Sequence, residues 1–155
     1  MSLDSRLFVP LILGTPRKGR YSEYVASFVL EQMRLRRDVE TELIDIRELR
    51  LAPDDAGEAL KQPGFSATMM RADALVLVVP EYNHGYPGLL KHLLDTNLKE
   101  YIHKAVEICG VSAGGFGGAR VIQNLLPVMR ELEWLPSSGM ATSQTYRNSL
   151  IRRGN

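Results

Sequence analysis

Cysteine is almost absent from this sequence, and long apolar runs are absent altogether. Cys109 is the only cysteine, so the chain cannot form an internal disulfide, and this composition favours a reducing compartment. No apolar stretch approaches the roughly 18–20 residues that cross a bilayer, and residues 1–5 lack the charged and apolar regions of a signal peptide. We therefore predict a cytoplasmic protein with no membrane partner.

An excess of one charge is also missing. The chain has 19 Lys and Arg residues against 18 Asp and Glu residues, which gives a net charge of +1. A protein without a basic field has no general attraction for nucleic acid, and no group of His, Cys, Asp and Glu has metal-ligand spacing. The 155 residues are enough for one domain with its own core and too few for two. We predict a single domain over residues 1–155, with neither a nucleic-acid partner nor a metal.

What the sequence does contain is an alternation of apolar runs with helical stripes. Such alternation predicts a parallel sheet with helices on both faces, a three-layer α/β/α architecture. Polar, Gly-rich loops after the first, third and fourth strands favour the strand order 2-1-3-4-5 of a doubly wound, five-stranded fold. The predicted strands are 7–13, 39–45, 74–79, 105–111 and 135–142, and the predicted helices follow Ser22 and cover 65–71, 87–99 and 119–133.

Two prolines conflict with this assignment. Pro10 lies in the first strand, where it cannot donate a hydrogen bond to a neighbouring strand, so we expect a bulge there or a strand that begins near Leu11. Pro127 lies in the last predicted helix and should kink or divide it.

The loop after the first strand carries the groups of a phosphate cradle. It offers hydroxyls at Thr15 and Ser22, guanidinium groups at Arg17 and Arg20, and the free N–H groups of a helix start, for which Ser22 is the predicted N-cap. Nothing in the pattern aims Lys18 inward. The loop has neither the ending of a Walker loop nor the spacing of a G-x-G-x-x-G motif, and a solvated turn remains the alternative.

The loop after the third strand contains two Tyr, two Pro and two Gly residues between Pro80 and Lys91. It offers flat side chains and backbone N–H groups to a flat, hydrogen-bonding ligand; the alternative is a rigid turn in which Tyr82 or Tyr86 packs on the core. A Gly-rich segment, 112–118, follows the fourth strand and could be a plain flexible turn. Because all three loops meet at one sheet edge, we predict a site for a phosphorylated planar cofactor.

The order of these motifs gives a family resemblance that covers nearly the whole chain. The motifs are G-T-x-R-x-G-R-x-S at residues 14–22, P-E-Y-N at 80–83 and S-x-G-G at 112–115. Together they resemble the NADPH-dependent FMN reductase family, which has a flavodoxin-like fold and includes quinone, azo-dye and chromate reductases. The P-E-Y-N motif is the specific one, and the other two are supportive.

The resemblance implies an FMN-dependent NAD(P)H oxidoreductase. FMN would be the cofactor, NADPH or NADH the co-substrate, and a quinone, an azo compound or a second flavin the electron acceptor. The flavin would carry the hydride chemistry in a ping-pong cycle, so no side chain need act as a catalytic acid or base. A flavodoxin-like electron carrier, disfavoured because such carriers tend to be acidic, and a non-catalytic flavin-binding protein stay open as alternatives.

The resemblance also assigns the FMN phosphate to the first loop. Thr15, Arg17 and Ser22 would bind the phosphate, with Arg20 nearby, and Tyr21 is included among the cofactor contacts.

The isoalloxazine ring is assigned to the other two loops. Ser112 and Gly115 would close the pyrimidine side of the ring. His84, in the second loop, is expected to hold the loop in position rather than to bind flavin. The residues that would line the ring, largely through backbone groups, are Pro80, Glu81, Tyr82 and Asn83.

Assembly is the last expectation from the resemblance. Family members form dimers or tetramers and usually continue past the fifth strand into a final helix, whereas here a short polar tail follows. We expect apolar surface near the fifth strand, at Trp134, Leu135 and Met140, and hence a homodimer or homotetramer.

Overall fold

Five parallel strands form the sheet in the computed structural model, which describes residues 6–52, 57–137 and 141–142. The strand order is β2-β1-β3-β4-β5, so the predicted flavodoxin-like topology is confirmed. Three of the strands are each formed by two short segments. The strands are β1 (Leu7–Phe8 and Leu11–Leu13), β2 (Val39–Glu40 and Leu43–Asp45), β3 (Ala74–Pro80), β4 (Ala105–Val111) and β5 (Leu135–Pro136 and Ala141–Thr142).

Pro10 divides β1 without shifting it. Leu7 pairs with Val39 and Leu11 pairs with Leu43, so the register with β2 is the same on both sides of the proline. The carbonyl of Pro10 still accepts a hydrogen bond of 3.1 Å from the backbone of β3. Of the two expected outcomes, the bulge does not occur, whereas a segment of the strand does begin at Leu11. The missing N–H of Pro10 separates the two segments.

In the described part of the chain, four helices connect the strands. They are α1 (Tyr21–Arg34), α2 (Pro63–Arg71), α3 (Gly88–Asp95) and α4 (Ala119–Glu131), and a short 3₁₀ turn covers Gly57–Leu60. α3 ends earlier than predicted, because Thr96 terminates it and bonds its hydroxyl back to the carbonyl of Leu93. α4 continues through Pro127 as one helix, so the expected division does not occur. Within the described ranges, no helix is both long and apolar enough to cross a bilayer.

Side chains of the sheet point alternately into two cores, one on each face. α1 covers one face, where Val25 and Leu30 pack on β1, β3 and β4. α2, α3 and α4 cover the other face, in which Tyr101 is fully buried. Cys109 belongs to the first core, and burial raises the pKa of its thiol to about 11. It is therefore a small buried hydrophobe rather than a reactive thiol.

The apolar surface expected near the fifth strand is only partly present. Trp134 is 3% exposed and packs edge-on against Tyr101, with ring centroids 5.1 Å apart, so the expectation is wrong for this residue. Leu135 is 58% exposed. Met140 lies outside the described residues.

A contact between two glycines fixes where α4 begins. Gly118 is the N-cap of α4 and has a φ of +93°, a conformation that favours glycine. A Cβ atom at Gly110 in β4 would lie 2.5 Å from the carbonyl oxygen of Gly118. Because neither position has room for a side chain, α4 starts directly on the end of β4. The contact brings the third loop to the sheet edge that carries the other two loops.

Candidate functional site

A cleft of about 310 Å³ opens at the carboxyl ends of β1, β3 and β4. Doubly wound sheets bind ligands at this edge, where the order of the strands reverses. Thr15, Asn83 and Gly115 are not part of the lining. The predicted site residues that do line the cleft are Arg17, Arg20, Tyr21, Ser22, Pro80, Glu81, Tyr82 and Ser112. The lining residues that the sequence pattern does not indicate are Lys18, Gly19, Val111 and Ala113.

The N-terminus of α1 reaches the cleft without a side-chain cap. Arg20 is the N-cap residue, and its side chain makes no capping hydrogen bond. Ser22 lies inside the first turn, so its predicted role as N-cap is wrong. Its Oγ is buried and has no hydrogen-bond partner among the described residues. The start of the helix therefore keeps hydrogen-bonding capacity next to the cleft.

Thr15 joins the first loop to the second. The residue is fully buried, and its Oγ1 lies 3.1 Å from the phenol oxygen of Tyr82. The guanidinium of Arg17 lies over the Tyr82 ring, 3.8 Å from the centroid. An Arg placed in this way over an aromatic face makes a cation–π contact. The two loops are thus connected through Tyr82 on one side of the cleft.

The guanidinium of Arg20 is buried in an ion pair that the sequence does not reveal. Its side chain is 1% exposed, and Nη1 lies 3.0 Å from Oδ1 of Asp45, while Nη2 binds the other carboxylate oxygen. Nη1 also donates to the carbonyl of Thr15. The buried side chain of Arg20 therefore stabilises the first loop, and Asp45 at the end of β2 is its counter-ion.

Asp45 is held as a carboxylate. Burial acts to raise its pKa, but hydrogen bonds from Arg20 and from the backbone N–H of Arg47, together with the charges of both residues, hold the pKa below its usual value. The net shift of the pKa is downward because the carboxylate accepts hydrogen bonds from several donors at once.

The second loop contains a tight turn, and His84 in it faces α4 rather than the cleft. Tyr82 and Gly85 exchange two backbone hydrogen bonds of 2.9 Å. The Nε2 atom of His84 lies 3.0 Å from Nη1 of Arg120, and the carbonyl of His84 accepts from Asn124 at 2.7 Å. His84 thus contacts α4 through both its ring and its backbone, and its positional role stays a prediction. The sequence gives no signal for Arg120 and Asn124, because the contacts join distant parts of the chain.

Ser112 begins the third loop and stabilises its backbone. Its Oγ accepts a hydrogen bond of 3.1 Å from the N–H of Gly114. Gly115 is exposed and lies outside the lining. Within the part of the chain that is described, no three His, Cys, Asp or Glu side chains are grouped as metal ligands. The cleft offers hydroxyl, guanidinium and aromatic groups, which suit an organic anion with a flat ring.

Comparison with known sequences agrees with this arrangement. The profile of the family described as NADPH-dependent FMN reductase matches residues 9–146. Over 122 residues the chain is 34% identical to an NADPH azoreductase of Bacillus sp. (strain OY1-2), covering 74% of this chain and 64% of that protein. It is 30% identical over 119 residues to a quinone reductase of Pseudomonas putida, covering 71% of this chain and 62% of that protein. The chain thus spans less than two thirds of the length of these curated relatives.

Solved structures with the same topology include a flavoenzyme NAD(P)H:acceptor oxidoreductase from Paracoccus denitrificans. The TM-score is 0.71 at 20% sequence identity, and the superposition covers 95% of this chain and 92% of that chain. At this identity the likeness supports the fold alone.

The buried ion pair gives a stability prediction. We expect Asp45→Asn to lower the free energy of unfolding at pH 7 by about 3 kcal/mol, because it leaves the buried Arg20 guanidinium only the half-exposed carboxylate of Glu23, 3.5 Å from its Nε, as a counter-ion. The matched control is Asp38→Asn, which removes an exposed ion pair with Arg36 and should have a much smaller effect. Denaturant unfolding of both variants measures the difference, and equal losses would contradict the role given to Asp45.

The same pair predicts a pH dependence. The pKa of Asp45 is lowered in the folded state, so the pair stabilises the fold above the unfolded pKa of roughly 4. This stabilisation should disappear as the pH falls through the folded pKa. The difference in unfolding free energy between wild type and Asp45→Asn should therefore shrink at acidic pH, and a constant difference would count against the assignment.

Proposed function

Because the chain belongs to the NADPH-dependent FMN reductase family, we propose that it binds FMN and transfers reducing equivalents from NADPH or NADH to a small electrophilic acceptor. The observation that carries the proposal is the cleft itself. It combines the start of α1, the guanidinium of Arg17, the ring of Tyr82 and the Oγ of Ser22, which has no hydrogen-bond partner among the described residues. These groups fit a cofactor that has a phosphate at one end and a flat ring at the other.

The phosphate would be bound at the first loop. Arg17 and Lys18 are exposed cations that line the cleft, whereas the charge of Arg20 is already neutralised by Asp45. Ser22 would donate from its Oγ, and the first N–H groups of α1 would add the favourable end of the helix dipole. We propose that Thr15 does not contact the phosphate directly. It would instead position Tyr82 through the contact between its Oγ1 and the phenol oxygen.

The ring would lie against the second and third loops. Tyr82 offers an aromatic face. Pro80 has no N–H and the N–H of Glu81 is bonded to the carbonyl of Val111, so the polar ring edge would meet the backbone carbonyl groups of these two residues. Ser112 would close the opposite side of the cleft. Asn83 and Gly115 lie outside the lining. We propose that they contact the ring through backbone groups at the rim of the cleft.

The hydride chemistry would be that of bound FMN, which accepts a hydride from the nicotinamide and passes electrons to the acceptor. The residues of the chain would bind and orient the FMN and would leave one face of its ring open. The acceptor class is proposed from the relatives, one named an azoreductase and one a quinone reductase. An azo compound or a quinone is therefore the substrate we propose for the second half of a ping-pong cycle.

The function is tested by supplying FMN to the purified protein and following NADPH oxidation with and without a quinone. We expect retained FMN, NADPH oxidation that the quinone accelerates, and parallel double-reciprocal plots, the signature of a ping-pong cycle. Bound FMN that NADPH does not reduce would instead indicate an electron carrier. Failure to bind FMN would contradict the proposal as a whole.

A single substitution tests the phosphate assignment. Arg17→Ala should weaken FMN binding by roughly 1.5–3 kcal/mol, the scale of a charge-assisted hydrogen bond, and should leave riboflavin binding almost unchanged. Arg37→Ala is the control, because Arg37 is an exposed cation beyond the end of α1, away from the cleft. Fluorescence titration of the apo-protein measures all four affinities, and equal losses for FMN and riboflavin would rule out Arg17 as the anchor of the phosphate.

We also propose a homodimer or homotetramer in the cytoplasm. Tyr21 at the cleft and Phe116 in the third loop are 70% and 63% exposed, and exposed aromatic side chains of this kind are typical of interfaces. The lone buried thiol of Cys109 suits a reducing compartment. Light scattering at micromolar concentration should give a multiple of the chain mass, and a monomer that turns over NADPH would contradict the assembly.

A further inference from the structure

The turn that follows β3 has a backbone conformation that few residues other than glycine adopt. Asn83 and His84, which lie between the hydrogen-bonded Tyr82 and Gly85, have φ angles of +49° and +67°. Two successive positive φ values are typical of the two-residue turn for which Asn-Gly is the favoured sequence. Asn83 tolerates this conformation, but His84 occupies the position where glycine is usual. The turn is therefore strained at His84.

Two side chains of α4 bind this strained residue. Nδ2 of Asn124 donates to the carbonyl oxygen of His84 at 2.7 Å, and it also donates to the carbonyl of Arg120 at 3.0 Å. Nη1 of Arg120 lies 3.0 Å from Nε2 of His84. A guanidinium can only donate, so Nε2 of His84 is the acceptor in this contact. Backbone and ring of His84 are thus both held by one helix.

Arg120 also contacts the residue on the other side of the turn. Its guanidinium lies 3.8 Å from Oε1 of Glu81, whose side chain is 7% exposed, and 4.4 Å from the centroid of the Phe116 ring. The position of α4 is fixed in turn by the close approach of Gly118 to Gly110. The start of α4 therefore contacts both Glu81, just before the turn, and His84 within it.

We propose that Asn124 and Arg120 are positioning residues, which keep the Tyr82–Gly85 turn in its strained geometry by binding His84. The proposal rests on the FMN site proposed above, since the turn begins at Tyr82, which lines the cleft. Strain of this kind persists only where the surroundings hold it in place, and it concentrates at ligand sites. Removing the clamp should let the turn relax and should weaken flavin binding.

The test is a double-mutant cycle with His84→Gly. Glycine adopts the conformation of residue 84 without strain, so the turn no longer needs the clamp. In the wild-type background, Asn124→Ala should weaken FMN binding to the apo-protein about tenfold. In the His84→Gly background, the same substitution should change the affinity less than twofold. Gln123→Ala, at the exposed neighbouring position of α4, is the control and should change neither.

Arg120→Gln tests the second contact in the same cycle. Its effect should become smaller once His84→Gly has removed the imidazole that Arg120 binds, and the effect that remains measures its contacts with Glu81 and Phe116. Equal weakening by Asn124→Ala in both backgrounds, or no weakening in the wild-type background, would overturn the proposal.

The thermal unfolding midpoint of the apo-protein gives a readout that does not depend on flavin. Asn124→Ala should lower it in both backgrounds, because His84→Gly keeps the backbone carbonyl that Asn124 binds, whereas Gln123→Ala should leave it unchanged. An unchanged midpoint with Asn124→Ala would contradict the clamp. If the wild-type protein bound no FMN, the proposed function would fail, while this midpoint would still decide whether the clamp exists.

Discussion

The guanidinium group of Arg20 is buried between the carboxylate of Asp45 and the carbonyl of Thr15, and the shape of the cleft depends on this contact. A cation that is 1% exposed is tolerated only with a counter-ion, because an unpaired buried charge is costly. The pair therefore ties the end of β2 to the loop after β1. Thr15 continues the connection to Tyr82 after β3. Contacts that begin at one aspartate thus reach three of the strand ends around the cleft.

The positively charged residues of the first loop have two different roles. Arg20 is neutralised and structural, whereas Arg17 and Lys18 stay exposed beside the uncapped start of α1. The loop can therefore attract an anion while the ion pair between Arg20 and Asp45 stays formed. On the other side of the cleft, α4 begins directly on β4 and holds the turn that carries Tyr82. Both walls are fixed by contacts that lie outside the lining.

Sequence reasoning recovers the parts of the structure that depend on local patterns. Apolar runs alternating with helical stripes predict the strand order, and three loops with the right groups predict the edge at which the cleft lies. Local patterns do not predict the direction in which a side chain points. The spacing of Arg17 and Arg20 is the same whether both face a ligand or one turns away, and only Asp45, 25 residues beyond Arg20, decides between them.

The same limit applies to the turn in the second loop. Its sequence is Asn-His-Gly, so the Asn-Gly signal of a tight turn is interrupted by His84, and the residue that supports it, Asn124, lies 40 positions away. Trp134 is a further example: it lies next to a short edge strand and would be expected at the surface, but its ring packs against Tyr101 in the core. Tertiary contacts decide these cases, and no local pattern contains them.

A crystal structure of the protein with FMN bound is the most direct test of the site. The arrangement predicts that the phosphate contacts Arg17 and the Oγ of Ser22, while the guanidinium of Arg20 keeps both oxygens of Asp45. A phosphate bound by Arg20, with Asp45 released, would contradict it, and so would a flavin bound outside the cleft.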